Sequence, residues 1–517
     1  MDGIGNVIYN LPADHSCELL VFSLLLSLVT LLMFARKINT ARARSPPSPT
    51  RLPFIGNVHQ LTTRPHRGMH SLSQKYGPIM LFHYGHKPVY VVSSAAIAHE
   101  ITRTHDASFA SRPTTKVFHM LFYGAADLLF SPYGDYWRQM RKLCVNELLS
   151  SKMVQSYQYI REERVSELVT SIHSHCLNHK SAAVNLSQLL LRLSNDVLAG
   201  AVLGLSEGAN EKMRESFLRA VELMGEFSFT EHIPVLGWMD HLTGFTKKLR
   251  KTAEELNTFL DQIIDSHEMM KPKLHGQGGD RSDKKDFVDI ILELRKADMV
   301  GQILTKENMK AILLDMFLAG TDTSATAMEW MMAELAKNPD IMTKAQNEVR
   351  AVVGAKSKIE EADISRMEYL KCVIKETLRL HSLWLLTRQS PSTNVIVAGF
   401  EIQPNTSVLI NLWAIHRDPM AWERPMEFVP ERFLNTCWSD NKAGYFPFGM
   451  GRRMCPGNQF SAAQIEYAMA NLLFWFDWKL PGGMDPEDLD MRDTATIVAR
   501  KESPLLLVPV PHAYMLK

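Results

Sequence analysis

The residue whose chemistry is easiest to place is Cys455, which stands in a glycine-rich segment from Phe448 to Gly457. Glycines carry no side chain, so backbone amides can approach the sulfur closely. A helical pattern begins at Phe460, which places the sulfur near the N-terminus of a helix. Both features favour a thiolate, the form of cysteine that binds metals. No second cysteine or histidine is adjacent, so a tetrahedral zinc site is poorly supported, and a buried inert cysteine is the alternative.

A glycine and a threonine stand on the apolar face of a long predicted helix. Thr305 is the predicted N-cap, and the helix should end at Asn338, before Pro339. Its apolar stripe contains Met309, Ile312, Leu313, Met316, Phe317, Gly320 and then Thr323. A helical glycine costs about 1 kcal/mol relative to alanine, so it needs an explanation. One is close helix packing with the threonine hydroxyl bonded to a preceding carbonyl, and the other is a chemical role.

The elements that must position these residues are mostly helices. Helical periodicity dominates from about Ala95 to Arg379. Two strands around the turn Gly85–Pro88 are predicted within Pro78 to Val92, and the charged, Gly-rich segment Lys271 to Asp286 predicts an exposed loop. Short β signals return at Val395–Val397, Val408–Ile410 and Leu505–Val510. The sequence therefore predicts a mainly α fold with small β-sheets.

The N-terminal segment predicts a membrane anchor. Leu19 to Ala35 carries no charge and has about the minimum length of a spanning helix, roughly 17–25 residues. Basic residues follow this segment, so the positive-inside rule places the rest of the chain in the cytosol. A cleaved signal peptide, the alternative, has its charges before the apolar run. We expect a lumenal N-terminus (1–18), an anchor (19–35), a basic, proline-rich hinge (36–53) and a cytosolic domain (54–517).

The composition excludes several classes of protein. Of 517 residues, 46% are hydrophobic and 22% charged, which is typical of globular proteins and excludes wholesale disorder. The net charge of +1 gives no basic excess for binding nucleic acid. The six cysteines lack the spacing of a disulfide scaffold or a zinc site, which suits a cytosolic domain.

The glycine-rich segment resembles the haem-binding signature F-x-x-G-x-R-x-C-x-G of the cytochrome P-450 haem-thiolate monooxygenases, through Phe448, Gly451, Arg453, Cys455 and Gly457. Other motifs follow the order of that family: Trp137–Lys142, the oxygen-activation motif Ala319–Ser324, the E-x-x-R pair Glu376 and Arg379, and the P-E-R-F segment Pro430–Phe433. The anchor and hinge resemble the plant microsomal type, in the style of its seventy-one family. The resemblance implies the cytochrome P-450 fold, with a single haem-centred domain behind a transmembrane helix.

The same resemblance implies a role for each motif. Cys455 is expected to be the axial metal ligand of haem b, where a thiolate favours O–O cleavage. Thr323 and Asp322 would manage protons, and Gly320 would leave room for oxygen. The expected haem partners are Trp137, Arg141, Arg453, Phe448 and Arg388. A buried structural network is expected from Glu376, Arg379 and Arg432.

By resemblance, the substrate pocket is apolar, with walls that include Phe118, Phe122, Phe227, Phe317, Trp384 and Ile497. The segment His381 to Gln389 departs from the family pattern, because it is shorter and lacks the usual prolines. Its path and the haem contact of Arg388 stay open, and Trp384 either shapes the pocket or packs inward.

The resemblance favours a monooxygenase of the endoplasmic reticulum membrane that inserts one oxygen atom of O2 into a small apolar plant metabolite. Terpenoids, indole alkaloids and coumarin-type phenylpropanoids are the candidate substrates. NADPH would supply electrons through cytochrome P-450 reductase, with a cytochrome b-type protein as a second donor. One alternative is a haem-thiolate enzyme of oxidative cyclisation, desaturation or dehydration. The others are a haem-binding protein without turnover and an anchored structural protein without haem.

Overall fold

The computed structural model describes residues 45–179, 181–205, 211–274, 285–297, 303–381, 385–435, 444–494 and 498–512. The predicted anchor, Leu19 to Ala35, lies outside these residues, as do Trp384 and Ile497. Among the described residues, one helix, Leu186–Leu203, has the length and hydropathy of a membrane span, and 67% of it is buried within the fold.

Helices form most of the described structure, as predicted. They are α1 (Pro65–Tyr76), α2 (Ala95–His99), α3 (Lys116–Leu121), α4 (Asp135–Leu143), α5 (Ser151–Ser156), α6 (Gln158–Asn178), α7 (Leu186–Leu203), α8 (Glu211–Gly225), α9 (Phe229–His232), α10 (Met239–Leu242), α11 (Phe245–Leu274), α12 (Phe287–Lys296), α13 (Lys306–Lys337), α14 (Pro339–Val353), α15 (Glu361–Ile364), α16 (Glu368–His381), α17 (Leu412–Ile415) and α18 (Asn458–Trp475).

Three small sheets accompany the helices. The strands are β1 (Ile79–Tyr84), β2 (Lys87–Val92), β3 (Val184–Asn185), β4 (Leu385–Gln389), β5 (Val395–Val397), β6 (Phe400–Ile402), β7 (Ser407–Asn411), β8 (Phe476–Lys479) and β9 (Leu506–Pro511). The sheets have the orders β1-β2-β7-β4, β3-β9-β8 and β5-β6. Strands β1 and β2 are antiparallel, with Ile79 opposite Val92, whereas β2 and β7 are parallel.

Two sequence-based boundaries need correction, and the path of one segment that was left open is now described. The predicted turn Gly85–Pro88 is shorter, because β2 already begins at Lys87 and pairs with Tyr84. The predicted loop from Lys271 starts too early, because α11 continues to Leu274. The segment left open after His381 contains β4, which pairs antiparallel with β7 and so gives Arg388 a fixed place.

Helix α13 crosses the core and has the predicted ends. The Thr305 hydroxyl accepts a hydrogen bond from the Asn308 amide at 3.2 Å, and Asn338 caps the C-terminus before Pro339. Between Met309 and Ala336 the helix is buried on almost every side, so its interior contacts the core all round rather than along one stripe.

The chain near the C-terminus is fastened to α13 by buried hydrogen bonds. The Trp330 indole nitrogen donates to the Ala499 carbonyl at 2.7 Å, and Trp330 is only 1% exposed. The Ser187 hydroxyl donates to Glu329 of α13 and accepts from the Leu505 amide at 2.8 Å. These bonds fix the backbone on both sides of Arg500.

This anchoring predicts the effect of Trp330→Phe. The variant keeps the ring but leaves the Ala499 carbonyl without its donor, which costs about 1–3 kcal/mol for a buried group. We expect faster amide hydrogen exchange in residues 498–505. Trp475→Phe is the control, because the Trp475 indole bonds within its own helix, to Asn471. Unchanged exchange in Trp330→Phe would contradict the anchoring.

Candidate active site

The Cys455 segment is a tight loop whose shape requires glycine. The Cys455 amide donates to the Phe448 carbonyl at 2.9 Å, and Gly449 and Gly451 have φ angles of 75° and 66°. A Cβ atom on Gly451 would lie 2.5 Å from a carboxylate oxygen of Asp106. The loop therefore holds the sulfur by main-chain bonds just before α18, which begins three residues later at Asn458.

The surroundings of the Cys455 thiol differ from the expectation that they favour a thiolate. Burial raises the pKa of Cys455, and the Gly457 amide and the Arg141 guanidinium lower it only in part. The glycine amide and the nearby cation act in the expected direction but do not outweigh desolvation. A cation bonded to the sulfur would reverse this balance, because a coordinating thiol is deprotonated.

One short stripe of α13 is open, whereas the rest of its central part is buried. Ala319 is exposed, and Met316, Gly320 and Thr323 are partly exposed. Their spacing of three and four residues places them on one face of the helix. The Ser324 hydroxyl lies 3.1 Å from that of Ser461 in α18, six residues after Cys455. This contact ties the open stripe to the helix that follows the cysteine loop.

Both explanations considered for Gly320 and Thr323 find support. A Cβ atom on Gly320 would lie 2.8 Å from Leu198 of α7, so this glycine permits close helix packing. The expectation that Gly320 leaves room for oxygen stays a prediction beside this packing role. The Thr323 hydroxyl donates to the Ala319 carbonyl at 2.6 Å, yet its side chain remains partly exposed on the open stripe.

Asp322 points away from the stripe and is buried. Its carboxylate forms an ion pair with Arg500 at 2.5 Å. Burial raises the pKa of Asp322, and Arg500 lowers it. The side chain borders a small cavity whose other lining residues include Leu191, Asn195, Arg214, Phe217, Phe317 and Thr321.

Four arginines crowd the cysteine loop. Burial lowers the pKa of each of Arg112, Arg141, Arg388 and Arg453, to about 10 for Arg112 and about 9 for Arg453. The charges of Arg112 and Arg141 lower the pKa of Arg388 and Arg453 further. Arg388 is 1% exposed, donates to the Met450 carbonyl at 2.6 Å, and has a second terminal nitrogen without a partner among the described residues. Carboxylates accept the paired donors of arginine well. This donor set and the Cys455 sulfur fit the two propionates and the iron of haem.

Four of the predicted haem partners, Trp137, Arg141, Arg388 and Arg453, donate hydrogen bonds to main-chain carbonyls. The Trp137 indole donates to the Leu128 carbonyl at 3.0 Å. The Arg453 guanidinium lies 4.1 Å from the Trp137 ring and donates to the carbonyls of Ala110, Leu128 and Ser131. These contacts differ from the expected carboxylate bonds, and they hold the segment from Ala110 to Ser131 against the cysteine loop. Arg141 donates to the Met454 carbonyl at 2.6 Å, and Phe448 is partly exposed.

The sequence did not predict the buried carboxylate pair of Asp127 and Asp315. Asp315 of α13 accepts from the Leu128 amide at 3.1 Å, and Asp127 accepts from the amides of Leu129 and Phe130. Burial raises the pKa of both, to about 6 for Asp127, and Arg112 lies close enough to affect Asp315. Neither carboxylate stands in a periodic pattern, so only the fold brings them together.

Glu376 lies at the centre of a fully buried network. It accepts two bonds from Arg379 at 2.8 Å, one from Arg432 at 3.0 Å and one from the Val429 amide at 2.9 Å. Glu376 and Arg379 are both 0% exposed. Each carboxylate oxygen thus has a charged donor, as a buried ion needs.

Arg379 carries this network to the cysteine loop. It donates to the carbonyls of His416, Pro425 and Glu427 at 2.7–3.0 Å. The His416 ring nitrogen accepts from the Phe446 amide at 3.0 Å, two residues before Phe448. Burial lowers the pKa of His416 to about 3, so this ring is the neutral acceptor that the amide requires.

Of the predicted pocket residues that the structure describes, Phe118, Phe122 and Phe317 pack against other aromatic rings, whereas Phe227 is largely exposed. Phe118 stacks on Phe130 with ring centroids 3.5 Å apart, and Phe317 packs against Phe217 at 4.2 Å. Phe122 is buried beside Phe130. Phe227 differs from the expected buried pocket wall. It is 44% exposed, in the connection between α8 and α9, and its ring stacks on His232. Trp384 and Ile497 fall outside the described residues.

Comparison with known proteins agrees with this geometry. A family model described as cytochrome P450 matches residues 46–508. Cytochrome P450 71A1 of Persea americana is 46% identical over 88% of this chain and 91% of its own. Tabersonine/lochnericine 19-hydroxylase of Catharanthus roseus is 40% identical over 91% of this chain and 94% of its own. A zebrafish cytochrome P450 solved with abiraterone has a TM-score of 0.71 at 22% identity, covering 87% of this chain and 100% of its own.

The chain belongs to the cytochrome P450 family. It is a cytochrome P450 monooxygenase and resembles the plant seventy-one family. Its cofactor is haem b with a cysteine thiolate ligand, and NADPH supplies electrons through a reductase. Its relatives include enzymes of plant specialised metabolism, among them phenylacetaldehyde oxime monooxygenase of Prunus mume, which is 43% identical over 91% of this chain and 90% of its own.

The Glu376 network predicts the outcome of Glu376→Ala. Removal of the carboxylate leaves the buried Arg379 charge uncompensated, at a cost of about 3–5 kcal/mol. We expect no haem-loaded protein, measured by the carbon monoxide difference spectrum and the haem content. Glu427→Ala, which removes an exposed carboxylate paired with Arg424, is the control and should load normally. Normal haem loading of Glu376→Ala would contradict the network.

His416 predicts a loss of stability in acid. Its folded pKa, about 3, lies below the ordinary value of 6.5, so between these pH values only the unfolded chain binds the proton. The contribution of His416 is complete above pH 6.5 and decreases by about 1.4 kcal/mol per pH unit below it. His416→Gln retains an acceptor for the Phe446 amide but does not titrate. We expect its melting temperature to fall less than that of the wild type between pH 7 and pH 5, and equal decreases would contradict the assignment.

Proposed function

We propose that Cys455 ligates the haem iron and that the open stripe of α13 faces the site where dioxygen and substrate meet. The observation that carries this proposal is the contact between Ser324 and Ser461, which joins the stripe to the helix that follows the cysteine loop. The chemistry supplied by bound haem is activation of O2, with one oxygen atom transferred to the substrate and the other leaving as water. Of the arginines around Cys455, Arg388 would bind a propionate through its unused terminal nitrogen.

The chain's own groups would supply the protons. Thr323 offers a hydroxyl on the open stripe, next in sequence to the buried carboxylate of Asp322. A hydroxyl donates and accepts at once, so it can pass a proton to the reacting oxygen while it takes another from behind. Asp322, the buried acid that precedes Thr323 in sequence and pairs with Arg500, would supply that second proton. Thr323 and Asp322 would thus act in proton transfer. Gly320 would act in packing, because it allows α7 to lie close against α13.

The substrate is a small apolar plant metabolite. Support comes from the aromatic rings of Phe118, Phe122 and Phe317, which suit apolar ligands, and from the named substrates of the relatives. Terpenoids, indole alkaloids and phenylpropanoids share this chemistry. The tabersonine/lochnericine 19-hydroxylase relative is an alkaloid hydroxylase by its name, and this supports an alkaloid-like substrate among the three.

The chain acts at the endoplasmic reticulum membrane, held by the segment 19–35. Support comes from two neighbouring groups of exposed apolar side chains: Phe54 is 78% exposed, and Val235 and Leu242 are 81% and 76% exposed. The two regions are neighbours because the backbone carbonyls of Phe54 and His232 both lie beside Gly85. Exposed apolar patches of this kind mark membrane contacts. The basic side chains Arg138, Lys142 and Arg452 would receive an acidic surface of the reductase or of a cytochrome b-type donor.

The Cys455 assignment predicts a loss of the thiolate spectrum. In Cys455→Ser the sulfur is absent, so we expect the reduced, carbon monoxide-bound protein to lose the absorption band typical of a thiolate ligand. Cys176→Ser is the matched control, because Cys176 is a partly exposed thiol of α6 that bonds only to the Pro509 carbonyl. A thiolate band retained in Cys455→Ser, or lost in Cys176→Ser, would refute the assignment.

The reaction class has a separate test. The full chain is combined with a plant reductase, NADPH and terpenoid, alkaloid and phenylpropanoid mixtures, and products are identified by mass. We expect NADPH-dependent products that gain one oxygen atom. Products that lose two hydrogens or water without gaining oxygen would favour cyclisation, desaturation or dehydration, and absence of every product would favour a haem protein without turnover.

A further inference from the structure

Three side chains that can ligate a metal converge between α11 and the start of α12. The Nε2 atom of His267 lies 3.0 Å from the Oδ2 atom of Asp286, and these two atoms and a carboxylate oxygen of Asp289 all lie within 4.8 Å of one another. Two ligands of one tetrahedral zinc ion are about 3.3 Å apart, because each lies about 2.0–2.2 Å from the metal. The His267 and Asp286 side chains are 17% and 13% exposed, so the cluster is largely sheltered from water.

The second ring nitrogen of His267 determines what Nε2 can do. Nδ1 lies 2.8 Å from the Ile263 carbonyl, and a carbonyl only accepts, so Nδ1 carries a hydrogen. In the neutral ring, Nε2 therefore presents a lone pair to an oxygen of Asp286, which is also an acceptor. This contact is favourable only when a cation, either a proton or a metal ion, stands between the two atoms. Histidine ligands of metals are commonly oriented by a carbonyl in this way.

Asp286 divides its two oxygens between α12 and the cluster. Its Oδ1 atom accepts from the Asp289 amide at 2.9 Å and caps the N-terminus of α12. This bond orients the carboxylate and leaves Oδ2 toward His267. Asp286 and Asp289 together carry two negative charges, which one divalent cation would balance.

The C-terminus of α7 adjoins the cluster and leaves room for it. Gly204 has a φ angle of 65°, and a Cβ atom on it would lie 2.8 Å from Nε2 of His267 and closer still to Oδ2 of Asp286. A residue with a side chain would therefore displace both ligand atoms. The C-terminal end of a helix carries a partial negative charge, which favours a cation nearby.

A buried hydroxyl beside the cluster has no partner. Tyr157 is 1% exposed, and its hydroxyl oxygen has no hydrogen-bond partner among the described residues. Its ring packs against Phe287, with ring centroids 5.5 Å apart. Burial raises the pKa of Tyr157, and the charges of Asp286 and Asp289 raise it further, so the hydroxyl lies near both carboxylates. A buried hydroxyl needs a partner, and a water molecule on a bound ion would supply one.

We propose that His267, Asp286 and Asp289 form a zinc site that ties α11 to α12. The imidazole selects zinc over Mg²⁺ and Ca²⁺, which prefer oxygen ligands. Three protein ligands leave a fourth position for water, near the Tyr157 hydroxyl. The site uses none of the residues assigned to haem or to proton transfer, so its test is independent of the proposed function.

The first experiment titrates zinc chloride into the haem-loaded full chain by isothermal titration calorimetry. The protein is prepared without a histidine tag and treated with EDTA beforehand. We expect one zinc ion to bind per chain and Mg²⁺ not to replace it. His267→Ala and Asp286→Asn should each bind zinc at least about tenfold more weakly, the loss that even a change in an outer-shell partner causes. Asp286→Asn keeps the cap of α12, because asparagine caps a helix about as well as aspartate.

Asp265→Asn is the matched control for this titration. Asp265 is a half-exposed carboxylate two residues before His267 on α11, and it pairs with Lys306. We expect this variant to bind zinc as the wild type does. The carbon monoxide difference spectrum shows which variants load haem, and Asp286→Asn decides if His267→Ala does not.

Two results of the titration would overturn the proposal. A wild type that binds no zinc would leave a protonated His267 paired with Asp286 as the explanation of the cluster. Equal zinc binding by the wild type, His267→Ala and Asp286→Asn would place the ion elsewhere.

The second experiment identifies the ligands by X-ray absorption at the zinc edge. We expect a shell of nitrogen and oxygen atoms at about 2.0–2.2 Å from the metal. A sulfur shell at about 2.3 Å would assign the ion to a cysteine and contradict the proposal.

Discussion

One buried carboxylate, Glu376, holds the part of the structure on which the cysteine loop depends. Its two oxygens compensate Arg379 and Arg432, and Arg379 in turn binds three carbonyls, including that of His416. His416 accepts from the Phe446 amide, and the Cys455 amide bonds back to Phe448. These hydrogen bonds, together with the short segment from Phe446 to Phe448, therefore connect α16 with the cysteine loop. Because each buried polar group has a partner, a change at one position is transmitted to the next.

The open stripe of α13 depends on small side chains in an otherwise buried helix. Helix α13 is buried on nearly all sides, and its opening at Met316, Ala319, Gly320 and Thr323 exists only where side chains are small or turned aside. Gly320 lets α7 approach to van der Waals contact, so the intrinsic cost of a helical glycine is offset by packing. The hydroxyl of Thr323 bonds to its own helix and still reaches the open face. The stripe is thus narrow and rigid, as a site that orients small reactants requires.

Much of this architecture could be predicted from the sequence, because its signals are local. The cap at Thr305, the stop before Pro339, the strands around Gly85 and the cysteine loop each depend on neighbouring residues. The residues that were missed, among them Arg112, Asp315 and Arg500, lie far apart in the chain and acquire partners only through the fold. The hydrogen bonds donated by Trp137 and Arg453 likewise could not be predicted from neighbouring residues. Their motif indicates that they belong beside the cysteine loop, whereas their hydrogen bonds to Leu128 follow from tertiary packing.

We propose that the cysteine loop and the open stripe of α13 lie on opposite sides of one haem. A crystal structure of the haem-loaded full chain tests this placement most directly. We expect the Cys455 sulfur to be bonded to iron on one face of the haem, and Ala319 to Thr323 to lie against the other face. Iron bound by a different residue, or a haem with both elements on the same side, would contradict it.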